Sequence, residues 1–295
     1  MKALSASPSS LPPASPKPLN QRRSYHRHMR RLILLGIALL AAGCGSSAAP
    51  QTLTGVYLAL GDSLSAGNGA SDPEETAFVP LIHAALGPQV ELMNLGVPGD
   101  TSDDLLTGGP LDQAITEIEQ RKADGIAGNE VAVVTLEIGG NDLLNLFFEL
   151  VVPSVCPNVS DSLDKPRCVD AFRETLDAFE PNLEAILDRL KKADPDLPIF
   201  LMTLYNPFSG KSPAVDELVE LALEGAPDTP FPEGLQDIIR AKADEHGVFL
   251  VDVYPHFEGK AIEYVANDLI HPNDTGYRVM ADAVLDEMRG AGLVE

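Results

Sequence analysis

The chain is 295 residues long, which is enough to bury the core of one large domain or two small ones. Its 44% apolar and 22% charged residues exclude a disordered or collagen-like chain, and three Cys exclude a disulfide-dense miniprotein. Asp and Glu outnumber Lys and Arg by 44 to 21, which gives a net charge of −23. Because this charge repels phosphate backbones, we expect no nucleic-acid partner.

The first 43 residues have the features of an export signal rather than of a folded domain. They contain seven Lys and Arg and no acidic residue, and they end in an apolar run of 11 residues, Leu32–Ala42. A helix needs about 20 residues to span a bilayer, so this run is too short for a transmembrane segment. The basic stretch, the short apolar run and the small residues after it predict a cleaved secretory signal over residues 1–43. We predict Met29 as the true start, because a signal beginning there has normal proportions.

Cys44 directly follows this signal. The segment Leu40–Cys44 resembles the end of a bacterial lipoprotein signal, with Ala41 at the position where Leu is usual. That resemblance implies a lipid on Cys44 as a membrane anchor, a tether over residues 44–53 and a place on the outer face of a bacterial membrane. The alternative is an ordinary cleaved signal with an incidental Cys, which predicts a secreted protein.

Residues 54–295 alternate strand-like runs with helical patterns. Near-continuous apolar runs are typical of parallel strands covered on both faces, and five of them predict the strands Val56–Leu60, Val90–Leu95, Val131–Ile138, Ile199–Leu204 and Val248–Val253. Apolar residues at three- and four-residue steps predict the helices Ala77–Leu86, Asp103–Lys122, Val169–Leu190, Ala214–Leu223, Pro232–His246 and Thr275–Arg289. We expect Pro181 to kink or divide the third helix. This alternation predicts one doubly wound α/β domain, whose ligands bind beyond the carboxyl ends of the strands.

Cys156 and Cys168 flank a polar stretch that contains Pro, Ser and Asp. In an exported protein they predict a disulfide that closes a surface loop and contributes about 2–3 kcal/mol. A metal site or a reactive thiol pair is the other interpretation, but no His or third Cys lies nearby in the sequence. We therefore predict the disulfide.

Four short motifs rich in Gly and polar residues follow predicted strands. Gly61–Leu64 follows the first strand, Asn94–Thr101 spans the end of the second, Gly139–Asp142 follows the third, and Asp268–Asn273 lies beyond the fifth. Turn chemistry alone explains any one of them. Because the carboxyl ends of parallel strands share one edge of a sheet, the four together predict a site.

These motifs supply the groups that acyl transfer needs. A serine hydroxyl needs a base, and an imidazole, with an unperturbed pKa of about 6.5, is the natural one. We predict Ser63 as the nucleophile, His271 as the base and Asp268, three residues upstream, as the group that orients it. We predict an oxyanion hole from the backbone N–H groups of Ser63 and Gly99 and the side-chain amide of Asn141. A histidine base also predicts that activity falls below roughly pH 6–7.

With Gly61–Leu64, Gly99, Asn141 and His271 in this order, the chain resembles the SGNH, or GDSL, hydrolase family of esterases and lipases over about residues 54–290. The resemblance implies a flavodoxin-like three-layer α/β/α sandwich with no metal and no cofactor. It also implies the catalytic and oxyanion roles that the chemistry predicts. Within the second motif Gly96 is the fallback for Gly99.

Asp62 and Asp142 lie next to predicted site residues in the first and third motifs. We interpret both as structural residues that hold loops by accepting backbone hydrogen bonds.

The substrate follows less directly from the sequence. The apolar segment Leu143–Val152 is either a wall or lid that grips an acyl chain or a core helix that anchors the disulfide loop, and residues 206–234, with five prolines, could form a mobile cover. Apolar walls favour an acyl ester or a lysophospholipid over a sugar acetyl group, and a thioester is a further candidate substrate. We therefore predict a monomeric serine carboxylic-ester hydrolase that forms an acyl-enzyme. The alternatives are a polysaccharide O-acetyl esterase and a non-catalytic lipid-binding lipoprotein.

Overall fold

A computed structural model describes residues 53–294. The signal segment, Met29, Cys44 and the tether up to residue 52 lie outside the described residues. Within that range, parallel strands form one sheet: β1 Gly55–Gly61, β2 Val90–Asn94, β3 Val131–Glu137, β4 Ile199–Met202 and β5 Phe249–Val251. The strand order β2-β1-β3-β4-β5 is the flavodoxin-like order, and every neighbouring pair is parallel. The predicted five-stranded parallel α/β fold is confirmed.

Helices cover both faces of this sheet. In chain order they are α1 Ser63–Ala66, α2 Phe78–Leu86, α3 Ser102–Thr107, α4 Pro110–Asp124, α5 Gly140–Leu146, α6 Val159–Leu163, α7 Pro166–Ala193, α8 Pro213–Glu224, α9 Leu235–His246, α10 Tyr254–Phe257, α11 Ala261–Tyr264 and α12 Asp274–Gly290. Helices α3, α4, α7 and α9 pack on one face, and α2 and α12 pack on the other. No helix in the described range is both long and apolar enough to cross a membrane.

The strand β1 shows why the predicted strands are near-continuous apolar runs. Val56, Leu58 and Leu60 lie in the core on one side of the sheet, whereas Tyr57 and Ala59 lie in the core on the other. Successive side chains of a strand point to opposite faces, so burial on both faces removes the alternation of apolar and polar residues.

The prediction of one helix over Asp103–Lys122 is wrong, because the segment forms two helices, α3 and α4. The two are separated at Gly109, whose φ of +110° is incompatible with a continuing helix. Pro110 then begins α4, at a position where its missing N–H leaves no hydrogen bond unmade.

Pro181 does not divide α7, which continues through it from Pro166 to Ala193. Pro181 and Asp177, whose carbonyl loses its helical donor to the proline, are both exposed, so water can satisfy that carbonyl. On the opposite side Phe179 and Leu183 are fully buried, and this apolar stripe holds the helix on the sheet.

The predicted disulfide between Cys156 and Cys168 is confirmed. It closes the loop that carries α6, between a π-helical turn at Phe147–Val151 and the start of α7. Both Cys residues pack against Leu150 of that turn. The apolar segment Leu143–Val152 therefore anchors the disulfide loop, as one of the two interpretations predicted.

Candidate active site

Ser63 lies directly after β1, in the first turn of α1. The strand ends at Gly61, where an added Cβ would lie only 2.3 Å from a carbonyl oxygen of β3, so the close packing requires glycine. Asp62 then caps the helix, because its Oδ1 accepts the Leu64 N–H at 2.9 Å. This sharp turn places the Ser63 side chain at the carboxyl edge of the sheet, where it lines a cavity.

His271 lies in a tight loop between α11 and α12. The Ala266 N–H donates to the His271 carbonyl at 2.8 Å, and a bridge between Val265 and Pro272 closes the loop. Leu269 has a left-handed φ of +70°, which reverses the chain next to the histidine. These constraints direct the imidazole towards Ser63.

Asp268, His271 and Ser63 form a chain of hydrogen bonds. Asp268 Oδ1 accepts the backbone N–H groups of Ile270 and His271, both at 3.0 Å, and its Oδ2 lies 2.7 Å from His271 Nδ1. His271 Nε2 lies 2.9 Å from Ser63 Oγ. Partial burial acts to raise the pKa of Asp268, but the two N–H donors and the imidazole outweigh it and hold that pKa below its usual value. The carboxylate beside His271 is therefore ionised at neutral pH.

The predicted oxyanion donors differ in their surroundings. Among the described residues, the backbone N–H groups of Ser63 and Gly99 have no hydrogen-bond acceptor, but Gly99 does not line the cavity beside Ser63. Asn141 does line it, and its Nδ2 lies 2.9 Å from both Asp62 Oδ2 and the Asp100 carbonyl. Both hydrogens of this amide therefore have acceptors. Asn141 links the first motif to the second.

Gly96, the fallback for Gly99, has a packing role. Its N–H donates to Asn94 Oδ1 at 3.0 Å, and an added Cβ would lie 2.7 Å from the Ala66 nitrogen. The second motif thus presses against α1 at Gly96, and the N–H of Gly99 is the one left without an acceptor.

Asp62 and Asp142 accept backbone hydrogen bonds, as predicted. The Asp142 carboxylate accepts the N–H of Ser102 at 2.9 Å and its hydroxyl at 2.6 Å, and so joins the start of α5 to α3. Burial raises the pKa of Asp142, although these two donors oppose the shift.

Sequence reasoning missed Glu137, which ends β3 directly behind the site. It is fully buried, and neither carboxylate oxygen receives a hydrogen bond from a described donor. Its carboxyl lies within hydrogen-bonding reach of Asp62, and two ionised carboxylates at that distance would repel each other. Burial raises the pKa of Glu137 well above its usual value and that of Asp62 to about 6. Both shifts favour a proton on this pair, and Glu137, the more deeply buried of the two, is placed to donate it to Asp62. The sequence signal that could have revealed it is a single charged residue in the strand-like run Val131–Ile138.

We expect Glu137→Gln to gain stability relative to wild type as the pH rises from 5 to 8. Because burial raises the folded-state pKa of Glu137, this carboxyl binds more proton in the folded state than in the unfolded chain above about pH 4.3, so its contribution to stability falls as pH rises. Glutamine cannot titrate, yet its amide can donate the same hydrogen bond to Asp62. Urea unfolding at both pH values measures the difference. The exposed Glu119→Gln is the control, and a variant-minus-wild-type difference that does not change with pH would contradict the shared proton.

The cavity beside Ser63 and His271, which we call the active-site cavity, has a volume of about 630 Å³ including its open mouth. Its apolar walls come from α5, the π-helical turn, the loop before α8 and α8 itself: Leu143, Leu144, Phe147, Pro207, Phe208 and Val219. The rings of Phe147 and Phe208 stack with their centroids 5.1 Å apart. The segment Leu143–Val152 therefore lines this cavity, as one interpretation predicts. The other is right that the segment anchors the disulfide loop and wrong that it is a core helix, because Leu150 alone within the segment is buried.

The model of the GDSL-like lipase/acylhydrolase family matches residues 59–279, more than half of the chain. The chain belongs to this family. Among its relatives, the spore germination lipase LipC of Bacillus licheniformis is 26% identical over 244 residues, which cover 80% of this chain and 95% of that protein. The range matched to the GDSL family contains all four motifs, so this GDSL hydrolase acts on ester bonds.

Solved structures share the fold of this GDSL hydrolase. Phospholipase A1 from Streptomyces albidoflavus has a TM-score of 0.55 at 17% identity, with 79% of this chain and 99% of that chain covered. The lipase Lip_vut3 from a goat rumen metagenome has a TM-score of 0.54 at 21% identity, with 79% and 97% covered.

Proposed function

We propose that this GDSL hydrolase is a serine carboxylic-ester hydrolase with Ser63 as nucleophile, His271 as general base and Asp268 as the residue that orients His271. The proposal rests on the chain of hydrogen bonds from Asp268 Oδ2 through the imidazole to Ser63 Oγ, with distances of 2.7 and 2.9 Å. An ionised Asp268 keeps the imidazole proton on Nδ1, which leaves Nε2 to accept the serine proton.

In the first half of the reaction Ser63 Oγ attacks the ester carbonyl carbon, and its proton moves to His271 Nε2. The backbone N–H groups of Ser63 and Gly99 stabilise the oxyanion, and Asn141 adds a third donor when it releases one of its two present acceptors. His271 then protonates the leaving alcohol. Water, deprotonated by the same nitrogen, attacks the acyl-enzyme and releases the acid.

The substrate class that fits the active-site cavity best is an ester with a hydrocarbon acyl chain, such as a lipid or lysophospholipid. Apart from Asp62 and His271, no side chain that lines this cavity is ionisable at neutral pH, and most are aliphatic or aromatic. The relative from Bacillus licheniformis carries the name lipase, which agrees with this choice. A thioester of the same acyl chain would react through the same steps.

Hydrolysis of p-nitrophenyl octanoate and p-nitrophenyl acetate tests this substrate class. We expect kcat/KM to be at least tenfold higher for the octanoate, because each methylene that leaves water can add up to about fourfold. A preference for acetate, together with release of acetate from acetylated polysaccharide, would instead favour the O-acetyl esterase. Hydrolysis of neither ester would favour a non-catalytic lipid-binding protein.

We also propose that the mature protein is an exported monomer anchored to the outer face of a bacterial membrane through a lipid on Cys44. The disulfide supports export, because such bonds persist in oxidising compartments. The intact mass of the mature chain in the membrane fraction tests the anchor. An unmodified N-terminus there would contradict lipidation, and a cytoplasmic, reduced chain would contradict export.

A further inference from the structure

A second cavity lies beside the active-site cavity, and we call it the distal cavity. Its volume is about 670 Å³, and its walls come from α5, the π-helical turn, α6, the start of α7 and α8. Every side chain that lines it is a hydrocarbon or a disulfide cysteine, except Ser162. A space lined in this way favours an apolar occupant over water, because water needs polar partners.

The two cavities share three lining residues, Leu143, Phe147 and Val219. These side chains form the partition between the cavities. All three are only partly buried, unlike the fully buried residues of the sheet core. Side chains with one face in solvent can change rotamer without opening a void in the core. Rotation of these side chains would join the two cavities into one apolar path that begins at Ser63.

We propose that the distal cavity binds the far methylenes of a long acyl chain whose ester carbonyl lies at Ser63. This proposal rests on the proposed function and extends it from acyl esters in general to long-chain acyl esters. The occupant is an acyl chain because the cavity offers no charged partner for a head group and is separated from the active-site cavity only by these three side chains. The acyl chain then follows one apolar path that starts at Ser63, runs between α5 and α8 and ends at the disulfide loop.

The Cys156–Cys168 disulfide belongs to this site because both cysteines line the distal cavity. The bond ties the loop that carries α6 to the start of α7, and both elements are walls of the cavity. By limiting the conformations of that loop, the disulfide keeps the space open when no acyl chain is present. The bond thus has a role in binding the substrate in addition to its role in stability.

Filling the distal cavity tests the proposal. Ala222 lines it from α8 and does not line the active-site cavity, so Ala222→Phe should occupy the space and leave Ser63 untouched. Ala214→Phe is the matched control, because Ala214 is exposed on the same helix. For p-nitrophenyl butyrate we expect kcat/KM of Ala222→Phe to stay within about twofold of wild type. For the dodecanoate we expect kcat/KM to fall at least tenfold, since each methylene that can no longer be buried lowers it by about fourfold.

The wild type should show kcat/KM rising from butyrate to dodecanoate, and Ala214→Phe should show the same rise. Parallel profiles for wild type and Ala222→Phe would overturn the proposal and identify the cavity as an unused packing defect. If Ala222→Phe does not fold, Val169→Phe fills the same cavity from α7 and carries the same expectation. Failure of the proposed function is a separate result, because the wild type would then hydrolyse neither butyrate nor dodecanoate.

Discussion

Replacing Ser63 with Ala should lower kcat for p-nitrophenyl octanoate by roughly 10⁴-fold or more. The change removes the oxygen that lies 2.9 Å from His271 Nε2, so no acyl-enzyme can form. The oxyanion donors remain in place, and only their residual acceleration over water should persist. The measurement is initial rates of wild type and variant at the same pH and ester concentration.

Labelling with an organophosphonate ester identifies the nucleophile independently of turnover. The wild type should gain one phosphonyl group on the peptide that contains Ser63, and Ser63→Ala should gain none. Ser65→Ala is the matched control, because Ser65 is buried on the same short helix and its hydroxyl donates to the Leu60 carbonyl at 3.3 Å. A Ser63→Ala variant that keeps more than about a hundredth of wild-type kcat would refute Ser63 as nucleophile.

The sequence predicts the sheet well because the physical signal for its strands is local. The central strands β1, β3 and β4 are buried on both faces and are therefore near-continuous apolar runs, whereas the edge strands β2 and β5 are partly exposed. The break between α3 and α4 is harder to predict, since the apolar pattern continues across Gly108 and Gly109 while the backbone does not. A proline on the exposed side of a helix, such as Pro181, is tolerated for reasons that only the tertiary packing reveals.

The candidate site is partly predictable for a related reason. Motifs at the carboxyl ends of parallel strands must share one edge, so the strand pattern groups Ser63 with Asn141. His271 lies two short helices beyond β5, and its place in the site is predicted from its chemistry instead. The distal cavity could not be predicted, because it depends on how α6, α7 and α8 pack around the segment Leu143–Val152. The raised pKa values of Asp62 and Glu137 depend in the same way on the burial of two carboxyls that come together from different strand ends.

The sequence predicts Asn141 only as an oxyanion donor, whereas its hydrogen bonds in the structure also give it a positioning role. As an oxyanion donor, its amide must face the substrate, whereas the structure shows it bound to Asp62 and to the Asp100 carbonyl. The second bond restrains the turn that carries Gly99, whose N–H has no acceptor among the described residues. In the proposed mechanism Asn141 thus positions the Gly99 N–H and also donates to the oxyanion itself.

Replacing Asp268 with Asn should lower kcat by about 10⁴-fold while changing the melting temperature little. Asp268 Oδ1 accepts two backbone N–H groups, so the oxygen of the new amide must take that place. Its NH₂ group then faces His271 Nδ1 and donates to it. The imidazole proton is forced onto Nε2, and the nitrogen that should accept the Ser63 proton can no longer do so.

Asp274→Asn is the matched control for that substitution, because it makes the same chemical change six residues further along. Asp274 accepts hydrogen bonds from the Ser71 N–H and hydroxyl and from the Thr76 hydroxyl, and none of these groups contacts His271. We expect this control to keep kcat and to lose stability, since the neutral amide gives up charge-assisted hydrogen bonds and the favourable negative charge in the first turn of α12. The two variants should therefore show opposite patterns in kcat and melting temperature. If Asp268→Asn keeps more than a tenth of wild-type kcat, Asp268 does not set the tautomer of His271, and another group must orient the imidazole.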